Sequence, residues 1–157
     1  MSSKKISNKT ISRIAAIQIL YQYDQKNQDY SIDELLQNTI SLYENGDLTD
    51  DFGKDQDSKI KIKPSVSFLI LLIKTATEHL QVITEEIANR LNEEWEIEKL
   101  PPLLLALLRV SICELRFFPE TPRKVAINEY TDIASDMLSD NEVGFVNSVL
   151  DTIAKEA

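Results

Sequence analysis

"LPPLLLALLRVSICELRFF", Leu100 to Phe118, is the stretch whose reading decides the fold. Two prolines open it, where a missing N–H and a fixed φ suit a first helical turn. No Gly or Pro interrupts the run beyond them, and it is apolar on nearly every side. It therefore predicts a buried, central helix reaching about Phe118. Its charges constrain what surrounds it. Arg109 and Arg116 stand seven apart and share a face, whereas Glu114 lies roughly 140° from Arg109. Arg109 and Glu114 cannot satisfy each other within one helix. If buried, each needs a partner on another element, because an unpaired buried charge is costly. Both read as clamps between helices.

Working outward from this helix, the next stretch, "PETPRKVAINEYTDIASDML", restarts a helix soon after Pro122. Ile127, Thr131, Ala134 and Leu138 fall along one stripe, with Asn128 on its shoulder. "SDNE" at 139–142 is a capping box, Ser139 to Glu142, that opens a last helix. In that helix Val143, Val146, Val149, Leu150 and Ile153 share an arc, while Phe145 and Asn147 each lie about 100° from Val146, on opposite sides. Two readings stand here: a broad buried arc with Asn147 tied to a neighbour, or a shoulder turned toward a partner.

Toward the N-terminus, Ile14, Ile17 and Tyr21 with Leu20 give helical spacing over about Asn8–Lys26. Gln18 falls inside that arc and would need buried partners. "SIDE" at 31–34 caps a second helix through about Tyr43. Residues 44–63 hold two of the three glycines and a crowd of charges, which predicts a mobile connection and a boundary between lobes. Pro64 suits the first turn of a further helix, whose "FLILLI" at 68–73 predicts burial almost all round. Leu80, Ile83, Ile87 and Leu91 form a cleaner stripe beyond a kink near His79.

The bulk numbers agree with an all-helical chain. Three Gly and five Pro in 157 residues leave few turns for short strands. The single cysteine, Cys113, sits in an apolar run and reads as a buried free thiol of a reducing compartment. Apolar runs are too short to cross a bilayer, and no signal-peptide core is present behind the N-terminus, so a cytoplasmic protein is expected. Net charge is −9, yet no acid precedes Asp24, while Lys4, Lys5, Lys9 and Arg13 are all basic. Such polarity gives an acidic body a small cationic end, able to hold an anionic ligand locally. The alternative is a solvated, frayed arm.

Catalytic chemistry finds no constellation. There is one His, one Cys and no Gly-rich phosphate loop, and no metal-ligand spacing is present, so neither cofactor nor metal is expected. Glu85–Glu86 and Glu93–Glu94 read as solvated helix faces. The expected function is binding.

"LLRVSICEL", "PRKVAINEYTDIA" and "GFVNSVLD", in that order, resemble the signature blocks of the NusB family of bacterial transcription antitermination proteins. "RIAAIQILYQYD" resembles that family's opening block, and the chain length is that of a family member. The capping and periodicity signals count six or seven helices, and the resemblance implies an all-α fold of two packed three-helix lobes around a shared core, within one RNA-binding domain over 1–157. The lobes are expected at about 8–80 and 81–157. It also implies partners: a single-stranded boxA-like leader RNA, the small-subunit ribosomal protein NusE and the RNA polymerase antitermination complex, in read-through of ribosomal RNA operons. Oligomeric state, monomer or homodimer, stays open.

Family RNA contacts lie at the N-terminus of the first helix and near the start of the last. Lys4, Lys5, Lys9, Arg13 and Phe145 are therefore the expected RNA-binding residues; cations grip phosphates and an aromatic face takes a splayed base. Gln18, Tyr21, Arg109, Glu114, Asn128, Glu129 and Asn147 match the motifs as structural residues. Three positions depart from the family pattern. Lysines replace its usual arginines, so bidentate phosphate contacts are fewer. Gly144 stands where a basic residue is frequent, and Ser148 where Gly is usual. Weak RNA binding alone, and dependence on the protein partner, are the resulting expectations. The alternative is a non-catalytic helical adaptor or homodimer, related to the accessory domain of ribosomal RNA cytosine methyltransferases.

Overall fold

A computed structural model describes residues 6–25, 30–45, 49–50, 60–61, 63–91 and 96–156. The protein is all-α. Among the described residues there are seven α-helices: α1 Asn8–Asp24, α2 Ile32–Glu44, α3 Val66–Glu78, α4 Leu80–Asn89, α5 Pro102–Phe117, α6 Arg123–Met137 and α7 Asp140–Glu156. A 3₁₀ turn, Ile97–Lys99, precedes α5. Two short strands, β1 Thr49–Asp50 and β2 Ile60–Lys61, pair antiparallel with Thr49 opposite Lys61. They occupy part of the segment expected to be a mobile connection; most of that segment lies outside the described residues. The chain clusters into two compact units, residues 1–71 and 72–157, dividing within α3.

In the first unit α1 packs on α2. Ser7 caps α1 by accepting a hydrogen bond from the Thr10 amide, and Ser31 caps α2 through the Glu34 amide. The buried face of α1 differs from the expected stripe. Ile11, Ser12, Ala15, Ala16, Ile17, Ile19 and Leu20 are buried, whereas Gln18 is exposed and Tyr21 is 37% exposed. Small residues explain the rotation: Ala15 and Ala16 carry little hydropathy but let backbones approach closely. Gln18 thus needs no buried partner. The first turn of α1 is laced to the segment leading into α3. Ser65 N–H donates to the Asn8 carbonyl at 3.2 Å, and the Ser12 hydroxyl lies 2.9 Å from the Ser65 carbonyl and 3.0 Å from that of Asn8. Pro64 precedes this junction, two residues outside α3, and is not in its first turn.

Helix α3 is not apolar-buried all round. Phe68, Leu69, Leu72, Ile73 and Ala76 are buried, but Ile70 is 39% and Leu71 52% exposed. A continuous hydrophobic run carries no periodic signal, so its outward side could not be read. The chain bends by 69° at His79, between α3 and α4. There the His79 ring stacks on Phe117, with centroids 4.0 Å apart and planes 12° from parallel.

Helix α5 is the hub of the second unit and packs against α4, α6 and α7. Nine of its residues are buried, including Ser111, Cys113 and Glu114. Helix α6 buries Ala126, Tyr130, Ile133 and Ala134, so its inward line is rotated from the expected Ile127–Thr131–Ala134–Leu138 stripe. The cause is Tyr130, whose hydroxyl donates to Glu114 Oε1 at 2.6 Å inside the core. Helix α7 buries Val146, Val149, Leu150 and Ile153. Its capping box is reciprocal: the Glu142 amide reaches Ser139 Oγ at 3.4 Å, and the Ser139 amide reaches Glu142 Oε1 at 3.0 Å.

Candidate nucleic-acid interface

The cationic end of α1 begins with residues whose placement is only partly described. Lys4 and Lys5 lie outside the described residues. Lys9 is exposed in the first turn of α1, which contains no acid. One turn later Arg13 is only 3% exposed. Both address one aromatic ring: Lys9 Nζ is 5.2 Å and the Arg13 guanidinium carbon 5.4 Å from the centroid of Phe68. These are cation–π distances. Phe68 is itself 9% exposed. Nothing in the sequence marked it, because one aromatic in an apolar run looks like any core residue.

Phe145 is partly exposed near the start of α7 and borders two concavities within the second unit. One, of about 240 Å³, is lined by Arg90, Leu91, Leu100, Leu104, Asn141, Glu142 and Phe145. The other, of about 310 Å³, is bordered by Asn89, Arg90, Phe145, Ser148, Val149 and Thr152. An aromatic face beside a guanidinium and side-chain amides can take a planar, polar-edged group. Gly144 leaves open space, since a Cβ there would meet no heavy atom within 4 Å. Asn147 is exposed, with its Oδ1 3.4 Å from the Thr131 hydroxyl, so this contact links α7 to α6. Asn128 is exposed and Glu129 partly exposed on α6.

Arg90 was missed in the sequence, although Glu86 stands four residues before it in helical register. Its Nη2 lies 3.2 Å from Glu86 and 2.7 Å from Glu156. Arg116 bonds the same two carboxylates, Glu86 closely and Glu156 at 3.5 Å. Glu86 is therefore no solvated charge: its side chain is 17% exposed between two arginines. Glu93 and Glu94 lie outside the described residues. The hydrogen bond from Arg90 holds the Glu156 carboxyl below the usual carboxylate range, and the same bond raises the Arg90 pKa. Arg123 adds a bond from Nη1 to the Ala154 carbonyl at 2.9 Å, so three arginines fasten the end of α7. Arg109 Nε donates to Thr84 Oγ1 on α4 at 3.1 Å in a half-buried contact, and in the core Glu114 accepts from Tyr130 on α6. Among the described residues no three His, Cys, Asp or Glu side chains converge as a metal site.

Residues 10–155 match the profile of the NusB family. The transcription antitermination protein NusB of Rickettsia conorii is 49% identical over 156 residues, covering 99% of this chain and 97% of that protein. The chain belongs to the NusB family. NusB of Rickettsia bellii is also 49% identical, over 99% of this chain and 96% of its own length. Among solved structures, T. maritima NusB superposes with a TM-score of 0.73 at 26% identity, covering 97% of this chain and 93% of that one. A chain from a crystal structure of antitermination factors NusB and NusE in complex with dsRNA gives 0.71 at 22% identity, over 94% and 96% of the two chains, a likeness of fold. This is thus a NusB-like antitermination factor, of a family of non-catalytic RNA-binding adaptors that are typically cytoplasmic. No single helix among the described residues is long and apolar enough to cross a membrane.

Proposed function

We propose that this NusB protein binds boxA-type single-stranded leader RNA together with the ribosomal protein NusE, and so promotes read-through of ribosomal RNA operons by RNA polymerase. Family membership over residues 10–155 is the observation that carries this reading. The local chemistry supports it. An acid-free first turn of α1 offers Lys9 and the positive end of the helix dipole to a phosphate. Phe145, which borders two recesses, offers a π-face to an unstacked base. Lys4 and Lys5 extend the cationic end in sequence, and Arg13, 3% exposed one turn beyond Lys9, adds a further positive charge to it. Asn128 and Asn147 keep structural roles.

Fluorescence titration of a boxA-like RNA, with and without NusE, tests the reading. We expect weak binding alone and a clear gain with NusE, for single-stranded RNA over both a scrambled strand and the matching duplex. The duplex control is needed because the solved NusB–NusE relative carries dsRNA. Equal affinity for boxA and scrambled RNA with both proteins present would remove the proposal.

A further inference from the structure

We propose that Phe68 is a positioning residue for RNA: its ring, backed by the buried Arg13, holds the Lys9 ammonium where a phosphate meets it. This rests on the RNA-binding reading above and adds to it a residue on a different helix.

Three observations lead there. Lys9 is exposed and makes no ion pair among the described residues, and its ammonium stands over the Phe68 ring, 5.2 Å from the centroid. Arg13, at 5.4 Å from the same centroid, is nearly inaccessible, so its charge is of little direct use to a ligand in solution. Finally, the ring and the lysine share a local frame. The Ser65–Asn8 and Ser12–Ser65 hydrogen bonds tie the first turn of α1 to the residues that open α3, three positions before Phe68.

The physical gain is pre-organisation. A lysine side chain carries substantial rotamer entropy, which a phosphate contact must remove. A ring that restricts the ammonium before binding removes part of that cost from the association step. An exposed cation–π contact is weak enough for the ammonium to reach a phosphate without leaving the ring face, and its strength corresponds to about a two- to five-fold change in affinity.

The test is a double-mutant cycle on full-length protein, titrated with boxA-like RNA plus NusE and with poly(U) at low salt. Lys9→Met should weaken binding and lower the salt slope by about 0.7, one phosphate contact on a single strand. Phe68→Leu should weaken binding about two- to five-fold with the slope nearly unchanged. In the Lys9→Met background it should add nothing. Because Phe68→Leu could disturb packing, a second variant carries pentafluorophenylalanine at 68, which keeps the ring's shape and reverses its quadrupole. Fluorination also weakens the buried Arg13 contact, so this variant's thermal midpoint should fall modestly while helical circular dichroism stays native. Its RNA affinity should fall too, and in the Lys9→Met background it should not. Unchanged affinity on fluorination, or a Phe68→Leu loss that persists in full without Lys9, overturns the proposal. Wild-type binding to poly(U) with no boxA preference would count against the specific function alone. In that case the cycle on poly(U) still decides the role of Phe68. Failure to bind either RNA would end both.

Discussion

Single residues decide how much of this surface is available to a ligand. Gly144 sits exposed on α7 beside Phe145, with empty space where a Cβ would go. Introducing a lysine there should cost no packing and should relieve the entropic penalty of a mid-helix glycine. Gly144→Lys should therefore stabilise the fold by about 0.5–1 kcal/mol in urea denaturation. It should also tighten RNA binding and steepen its salt dependence by about 0.7. A variant of higher stability and unchanged salt slope would mean that this shoulder of α7 does not face the phosphates. At this scale the sequence was legible where a charge made a demand. Glu114 inside an apolar run required a partner on another helix, and it has one in Tyr130. Which residue would answer was not legible, because a tyrosine fits a core or a surface equally well until its hydroxyl has a mate.

Elements were legible by their ends more than by their faces. Capping boxes at Ser31 and Ser139 and the prolines ahead of α5 and α6 marked helix starts closely. Faces slipped wherever small or uniformly apolar residues blurred the 3.6-residue period, as on α1 and α3. Ion pairing between helices left almost no sequence trace, so the arginines at the end of α7 emerged only in three dimensions. Their consequence is pH-dependent. Glu156 has its carboxyl pKa depressed in the fold, so its contribution is full above the usual carboxylate range and fades as pH falls through the folded value. The thermal midpoint of wild type should exceed that of Glu156→Gln at pH 7 and converge with it toward pH 3. A constant gap across that range would mean the carboxylate is not the group that matters. The effect should be small and salt-sensitive, since the Glu156 side chain is 47% exposed.

For the whole molecule, helix content and the ordered blocks near the C-terminus were readable because they rest on composition and local pattern. The division inside α3 was not readable, since it depends on which helices pack together. Cys113 gives that packing a chemical probe. It is fully buried on α5, with Sγ 3.9 Å from the Leu72 carbonyl, and burial pushes its thiol up to about 12. In the native protein at pH 8, alkylation should run on the order of a thousand-fold slower than for a free thiol. Raising urea should bring the labelling rate up in step with loss of helical circular dichroism. Rapid labelling under native conditions would show that α5 is not a sealed hub.

The stacked pair at the bend between α3 and α4 has a use of its own. His79 is the only histidine in the chain, so its imidazole protons form a single resolved set in a magnetic-resonance spectrum. Lying 4.0 Å from the Phe117 centroid and nearly parallel to that ring, they fall in its shielding cone. Their upfield displacement is a built-in gauge of whether α4 stays seated on α5, readable without any label while RNA or a protein partner is added.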